Sequence, residues 1–160
     1  MVTLQKVTRE NVWDVLDLHV SPEQENFVSP TFVSLAQAYL VLSEGGHVFP
    51  FAICDDNTPV GFLMVGYDGA DFDCDPPEYA KGSYCLWRFL IDERHQKKGY
   101  GTKALGLMLD FVRSFPCGKA ESCYVCYKPW NPVAKALYAR FGFVENGEMS
   151  GDESVAVVKL

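Results

Sequence analysis

Apolar and polar positions follow two periods along this chain. Alternation over Met1–Val7 predicts a short first strand. Val12, Val15, Leu16 and His19 then recur at helical spacing, with Thr8 placed to cap that helix. Ser21-Pro-Glu-Gln24 reads as a capping box with proline at the first helical position. Ser34-Leu-Ala-Gln37 reads as a second box, opening a helix through Ala38, Tyr39 and Leu42 that stops at Gly45–Gly46. Val48–Cys54 and Val60–Tyr67 are predicted strands, joined by a hairpin turn over Asp55–Pro59. Ser83–Asp92 is apolar on both alternating faces, as suits a strand covered on both sides. Ala104, Leu105, Met108, Phe111, Val112 and Phe115 form the stripe of an amphipathic helix. Ala120–Tyr127 is another strand, and Asn131 and Pro132 open a helix over Val133–Arg140 that ends in Phe141-Gly-Phe143. A closing turn and strand, Ser154–Leu160, finish the chain. No repeat, low-complexity tract or linker interrupts it, so residues 1–160 read as one domain.

The junction between the doubly apolar strand and the central helix carries the first candidate chemistry. Glu93–Gly101 breaks the apolar pattern with charge and two glycines. A glycine turn that opens a helix leaves backbone N–H groups pointing outward, and the helix dipole adds partial positive charge. Lys97 and Lys98 add full charges, so a phosphate group fits there. Gly99-Tyr-Gly101-Thr-Lys-Ala104 also matches a dinucleotide fingerprint. That reading fails because Glu93–Lys98 separate the strand from the first glycine, and the nearest acid, Glu121, would open the next strand. A P-loop needs a lysine and hydroxyl after the last glycine of a longer run, and no such run exists. A plain tight turn with solvated lysines is the remaining structural alternative.

Composition narrows the classes. Apolar content of 48% and charged content of 22% are ordinary for a globular domain, and the net charge of −7 disfavours nucleic-acid binding while favouring cationic partners. Six cysteines raise a zinc or disulfide reading. Cys123 and Cys126, however, lie on a predicted strand, where an offset of three points them to opposite faces. Reduced thiols without a metal, in a reducing cytoplasm, are therefore expected, and no leader or membrane span is read. His19 is expected to complete a helix face, partly buried. Glu23 and Glu25, in the polar stretch Ser21–Pro30, and Asp71 and Asp73, in the acidic loop Asp68–Lys81, either stay solvated or line a site for a cation. The loop lacks the glycine and glutamate spacing of a calcium-binding EF-hand.

Gln96-Lys-Lys-Gly-Tyr-Gly101 between strand and helix resembles the pyrophosphate signature of the GNAT acetyltransferases. Asn131-x-x-Ala134-x-x-Leu137-Tyr138-x-x-Phe141-Gly142-Phe143 resembles their second signature, so the two phrases cover residues 83–143. The resemblance implies an α/β (α+β) fold: a mixed, mainly antiparallel twisted sheet flanked by helices, with central strands splayed to hold acetyl-CoA. It implies cofactor contacts from Phe89, Leu90 and Ile91, with an oxyanion site near Leu90 and Ile91. Further contacts are implied from Gln96, Lys97, Lys98, Gly99, Tyr100, Gly101 and Thr102, and from Asn131 and Ala134 along the pantetheine arm. Gly99 and Gly101 would supply both the turn dihedrals and close backbone approach. Tyr138 would protonate the leaving thiolate.

Leu18–Val28, Ser34–Ala38, Pro59–Phe62 and Arg88–Arg94 further resemble the bacterial diamine and spermine/spermidine N-acetyltransferases. The implied acceptor is a small polyamine or diamine, with Glu23, Glu25, Asp71 and Asp73 as its acidic contacts. A protein or antibiotic amine, or a regulatory module that binds acetyl-CoA without turnover, are the alternatives. Trp87 stands where the polyamine enzymes carry a carboxylate that can act as base. The base therefore stays open among Glu25, Asp71, Asp73 and a water chain. Whether the chain forms a homodimer is also left open.

Overall fold

The computed structural model describes all 160 residues. Its strands are β1 (Val2–Lys6), β2 (Val48–Asp55), β3 (Thr58–Tyr67), β4 (Tyr84–Ile91), β5 (Ser122–Tyr127), β6 (Val144–Ser150) and β7 (Glu153–Lys159). The helices are α1 (Val12–Leu16), α2 (Thr31–Ser43), α3 (Tyr100–Arg113) and α4 (Pro132–Arg140). One seven-stranded sheet runs β1-β2-β3-β4-β5-β7-β6, antiparallel throughout except where β4 meets β5. This mixed, mainly antiparallel sheet is the expected class.

Strand alternation sorts the core into two layers. On β3, Leu63 and Val65 face one way, into the cluster that holds Ala104, Leu105, Met108, Leu109 and Val112 of α3. Phe62 and Met64 face the other way, against Val15, Leu18 and Ala38 from the α1–α2 side. The central strands are covered on both faces, which is why β4 reads as apolar throughout. Cys123 and Cys126 fall in clusters on opposite sides of the sheet, as their odd spacing requires. No helix is long and apolar enough to cross a membrane.

Several local expectations change. Neither capping box forms. Ser21 leads into a single 3₁₀ turn, Pro22–Gln24, in which the Gln24 N–H bonds the Ser21 carbonyl at 2.8 Å. Helix α2 starts three residues earlier than its box, at Thr31 after Pro30. Ser34 is buried inside the helix with its hydroxyl on the Pro30 carbonyl. Burying Thr31, Ser34 and Ala38 on one side sets that start, overriding the cap signal. Thr8 caps only the turn before α1, taking the Glu10 N–H, and His19 lies beyond the helix with its ring 55% exposed. The chain closes in a hairpin, because β6 pairs with β7 at the sheet edge. β6 is exposed along nearly its whole polar length, so it carries no apolar alternation to read.

The acidic loop is partly built into the fold. Asp68 accepts the Gly82 N–H at 2.7 Å, and Ala80 is fully buried against Cys85 and Tyr124. Asp71 turns inward to accept the Tyr124 hydroxyl, while Asp73, Asp75 and Glu78 stay exposed.

Candidate active site

A cavity of about 1090 Å³ opens where the sheet changes pairing. β4 and β5 run in parallel only through Tyr84–Cys123, Cys85–Tyr124 and Leu86–Val125. Beyond Leu86 they part: Trp87 falls at a register shift against β3, and residues 88–91 of β4 keep β3 as their only strand neighbour. The Asp92 N–H bonds the Val60 carbonyl at 3.0 Å. Antiparallel alternation then turns the Leu90 peptide toward β3 and those of Phe89 and Ile91 toward the gap. Two contacts agree with that assignment. A Cβ on Gly61 of β3 would meet the Leu90 carbonyl at 2.5 Å, and the Ile91 carbonyl accepts from Gln96 Nε2 at 3.0 Å. Free backbone donors in the gap thus belong to Phe89 and Ile91, and the oxyanion expectation shifts from Leu90 to Phe89.

The basic turn closes one end of the cavity. Gly99 precedes α3 at φ +82° and Lys97 sits at φ +62°. The N–H groups opening this 14-residue helix have no intrahelical partner. Gly101 differs from expectation: it has no left-handed φ, and a Cβ there would stand 3.7 Å from Ile91, an ordinary contact. Only Gly99 supplies a turn dihedral, so a need for glycine at 101 would come from a ligand at the helix start. Below the turn lies Asp92, with no exposed surface. It accepts from Arg94 Nε at 2.7 Å, Arg94 Nη2 at 2.9 Å and the His19 N–H at 3.1 Å. Burial alone would raise its carboxyl, but these bonds and the Arg94 charge outweigh it and bring it down to about 2. Gln96 spends its side chain on Gln24 and on the Ile91 carbonyl, which ties the turn to the Ser21–Pro30 stretch.

Helix α4 forms the opposite wall. Asn131 Oδ1 accepts the Ala134 N–H at 3.1 Å, so the expected cap forms and leaves the amide nitrogen for other partners. Tyr138 is 6% exposed, with its ring 5.5 Å from Tyr127 and 5.7 Å from Phe143, and it lines the cavity. Burial above all, then Cys85, Tyr127 and Glu153, push its hydroxyl up, so it keeps its proton at neutral pH.

Most of the predicted residues meet in this one space. Phe89, Leu90, Ile91, Gln96, Lys97, Gly99, Tyr100, Gly101, Thr102, Asn131, Ala134 and Tyr138 line it, together with Glu25 and Asp71. Lys98 does not, because its ammonium turns back to the Arg94 carbonyl at 3.0 Å. Glu23 and Asp73 are exposed and lie outside the lining. Trp87, noted in the sequence only as standing at the base position, lines the cavity, and the residues that sequence reasoning did not single out are Arg88, Asp152 and Glu153. Arg88 lies over the Trp87 ring at 5.3 Å, with Nη2 on Gln37 at 3.0 Å. Glu153 stands at the tip of the unread hairpin, and no local signal pointed to it. The thiols at this wall are damped: burial first, then Asp71 and Glu153, push Cys126 up to about 12, and Cys85 is raised well above its usual value.

Comparison with known proteins agrees with this geometry. The pattern of the acetyltransferase (GNAT) family matches residues 12–143. The spermine/spermidine N(1)-acetyltransferase of Bacillus subtilis (strain 168) is 33% identical over 99% of this chain and 97% of that one. Among solved structures, spermidine N-acetyltransferase from Vibrio cholerae in complex with CoA and spermine superposes with a TM-score of 0.70 at 20% identity, covering 99% of this chain and 95% of that one. Aminoglycoside acetyltransferase AAC(6')-Ib in complex with coenzyme A and kanamycin gives 0.76 at 19% identity, with coverage of 99% and 95%. A splayed β4–β5 pair, a glycine turn at one end and a buried tyrosine on the far wall thus sit in a chain that belongs to the GNAT acetyltransferase family.

Proposed function

We propose that this protein moves the acetyl group of acetyl-CoA to a primary amine, with a polyamine or diamine as the preferred acceptor. The observation that carries the reading is the parting of β4 from β5 between the basic turn and Tyr138. It leaves a slot with anion-binding N–H groups at one end and a proton donor on the far wall. The residues fit the group: the helix start takes the pyrophosphate with Lys97 beside it, and Asn131 and Ala134 border the pantetheine arm. Acetyl-CoA, when bound, brings a thioester carbonyl to be attacked. The Phe89 and Ile91 N–H groups face the gap where negative charge would develop on that oxygen. Tyr138 holds the proton that the departing thiolate needs. Direct transfer is favoured over an acyl-cysteine step, because the cavity thiols are held protonated by burial.

The polyamine preference rests on the Bacillus relative's name, on the net charge of −7 and on the carboxylates lining the cavity. Thiol release from acetyl-CoA, measured across spermine, spermidine, putrescine, butylamine, a lysine peptide and kanamycin, tests it. Spermidine or spermine is expected to show the highest kcat/KM. Equal kcat/KM for butylamine and spermidine would remove the polyamine assignment, and acetyl-CoA binding with no acceptor turned over would favour a regulatory module.

A further inference from the structure

The acceptor end of the cavity holds two carboxylates in different states. Asp71, from the β3–β4 loop, has both oxygens engaged: Tyr124 donates to Oδ1, and the Cys85 thiol lies 3.5 Å from Oδ2. Glu153, the first residue of β7, accepts no hydrogen bond from a protein donor closer than the Lys128 ammonium at 3.8 Å. That ammonium is committed to Asp152. Both acids line the cavity with Tyr138, which is 6% exposed. A carboxylate with no hydrogen-bond donor and a tyrosine that line one cavity point to a ligand that engages both.

We propose that Glu153 is the base that takes the proton from the acceptor ammonium, and that Asp71 is the fixed negative charge that positions it. This rests on the acetyltransferase reading above. An amine of lysine type, with a pKa of about 10.4, arrives protonated and has no lone pair to attack with. Its N–H proton passes to a Glu153 oxygen. The freed lone pair forms the C–N bond at the thioester carbonyl, and the C–S bond breaks. The thiolate takes the Tyr138 proton, the acetylated nitrogen sheds its extra proton to solvent, and both side chains return to their starting states by exchange with water. Burial narrows the gap between acid and base by raising a carboxyl and lowering an ammonium. Glu153 is raised, by burial first and then by the charges of Asp152 and Asp71, while Lys128 and Arg88 oppose them. Asp71 is likewise raised by burial, against its bonds from Tyr124 and Cys85 and the charge of Arg88. Cys126 and Tyr138 also face this end and stay neutral.

A pH–rate series on the full chain with spermidine tests the division of labour. For wild type, kcat/KM should rise to a plateau through an acid limb. Glu153→Gln should lower kcat about 10²-fold, and its rate should keep climbing with pH up to the amine's own pKa, since only amine already free can react. Glu153→Asp should recover part of the rate and restore the plateau. Asp71→Asn should raise KM for spermidine about tenfold, with kcat within about threefold. Calorimetric affinity for acetyl-CoA should be unchanged in all three. A Glu153→Gln protein with wild-type kcat and profile would overturn the proposal and leave the acetyltransferase reading intact. Absence of turnover by wild type with every amine would overturn both. If Glu153→Gln fails to fold, a Glu153→Asp profile identical to wild type in rate and acid limb would overturn the assignment, and a shifted limb would support it.

Discussion

The two ends of the cavity are built by opposite means. The turn end is nearly continuous in sequence: Asp92 closes β4, Arg94 folds back on it, and Lys97–Gly101 lead directly into α3. Its donors are mostly backbone groups, so what matters is the path of one short segment. The end proposed for the acceptor gathers Asp71, Arg88, Tyr138 and Glu153 from a loop, a strand, a helix and a hairpin. Each contributes a side chain whose neighbours come from elsewhere in the chain. On the proposed reading, holding the anion that every acetyl-CoA carries is a local task. Discharging a particular ammonium would need charges converging from distant elements, which leave almost no trace in any single stretch.

That contrast can be broken most forcefully at Tyr138. Tyr138→Phe keeps the packing on Tyr127 and Phe143 and removes only the hydroxyl. A fall in kcat of about 10²-fold is expected, with KM for acetyl-CoA nearly unchanged. Steady-state kinetics showing kcat within about twofold would reduce Tyr138 to a core residue. The two glycines come next. Gly101→Val meets no strained φ or close atom in the protein itself, so it should keep the melting temperature while acetyl-CoA affinity drops about tenfold or more, about 1.4 kcal/mol. Gly99→Val should lose affinity and also about 1–2 kcal/mol of stability, the cost of a left-handed residue with a side chain. Matching calorimetry and melting curves for the two variants would erase the distinction between turn geometry and ligand approach.

A smaller effect separates the turn's anchor from its chemistry. The Asp92 carboxyl lies well below its ordinary range, near 2. Its stabilisation is thus present above the unfolded pKa of about 3.9 and lost as pH falls through the folded value. Asp92→Asn should remove on the order of 1–2 kcal/mol at pH 7 and flatten the acid side of the stability profile between about pH 4 and 2. Denaturant unfolding at stepped pH reads this directly. Parallel profiles for variant and wild type would show that the Arg94 pairing contributes nothing net. The smallest change is expected where charge lies outside the cavity. Glu23→Gln and Asp73→Asn should alter KM for spermidine less than about twofold at 0.1 M salt, because exposed charges are screened within a Debye length of about 10 Å. Glu25→Gln, which changes a lining residue, should have the larger effect of the three. The reverse ranking would place the acceptor path over the exposed loop.

Several local readings from sequence held, though the two capping boxes and the expected dihedral at Gly101 did not. Alternation on β3 and β4, the α3 stripe, the Asn131 cap and the glycine-led turn all rest on contacts within a few residues or on burial of a regular face. The misses share one cause. Ser21 and Ser34 carry a cap motif, but packing of Thr31, Ser34 and Ala38 against the sheet decides where α2 begins. β6 has no apolar face to show because it is an exposed edge, stabilised by pairing with β7. Family resemblance gathered Phe89, Leu90, Ile91, the seven residues 96–102, Asn131, Ala134 and Tyr138 into one site, and the cavity lining includes all of them except Lys98. Tertiary structure alone separated Asp71, turned inward under Tyr124, from Asp73, left in solvent two residues away. It also brought Glu153 to the same wall from the far end of the chain. Where backbone conformation is decided by neighbours along the chain, it is written in the local sequence. The environment of an ionisable side chain is decided by neighbours in space, and only the folded sheet supplies those.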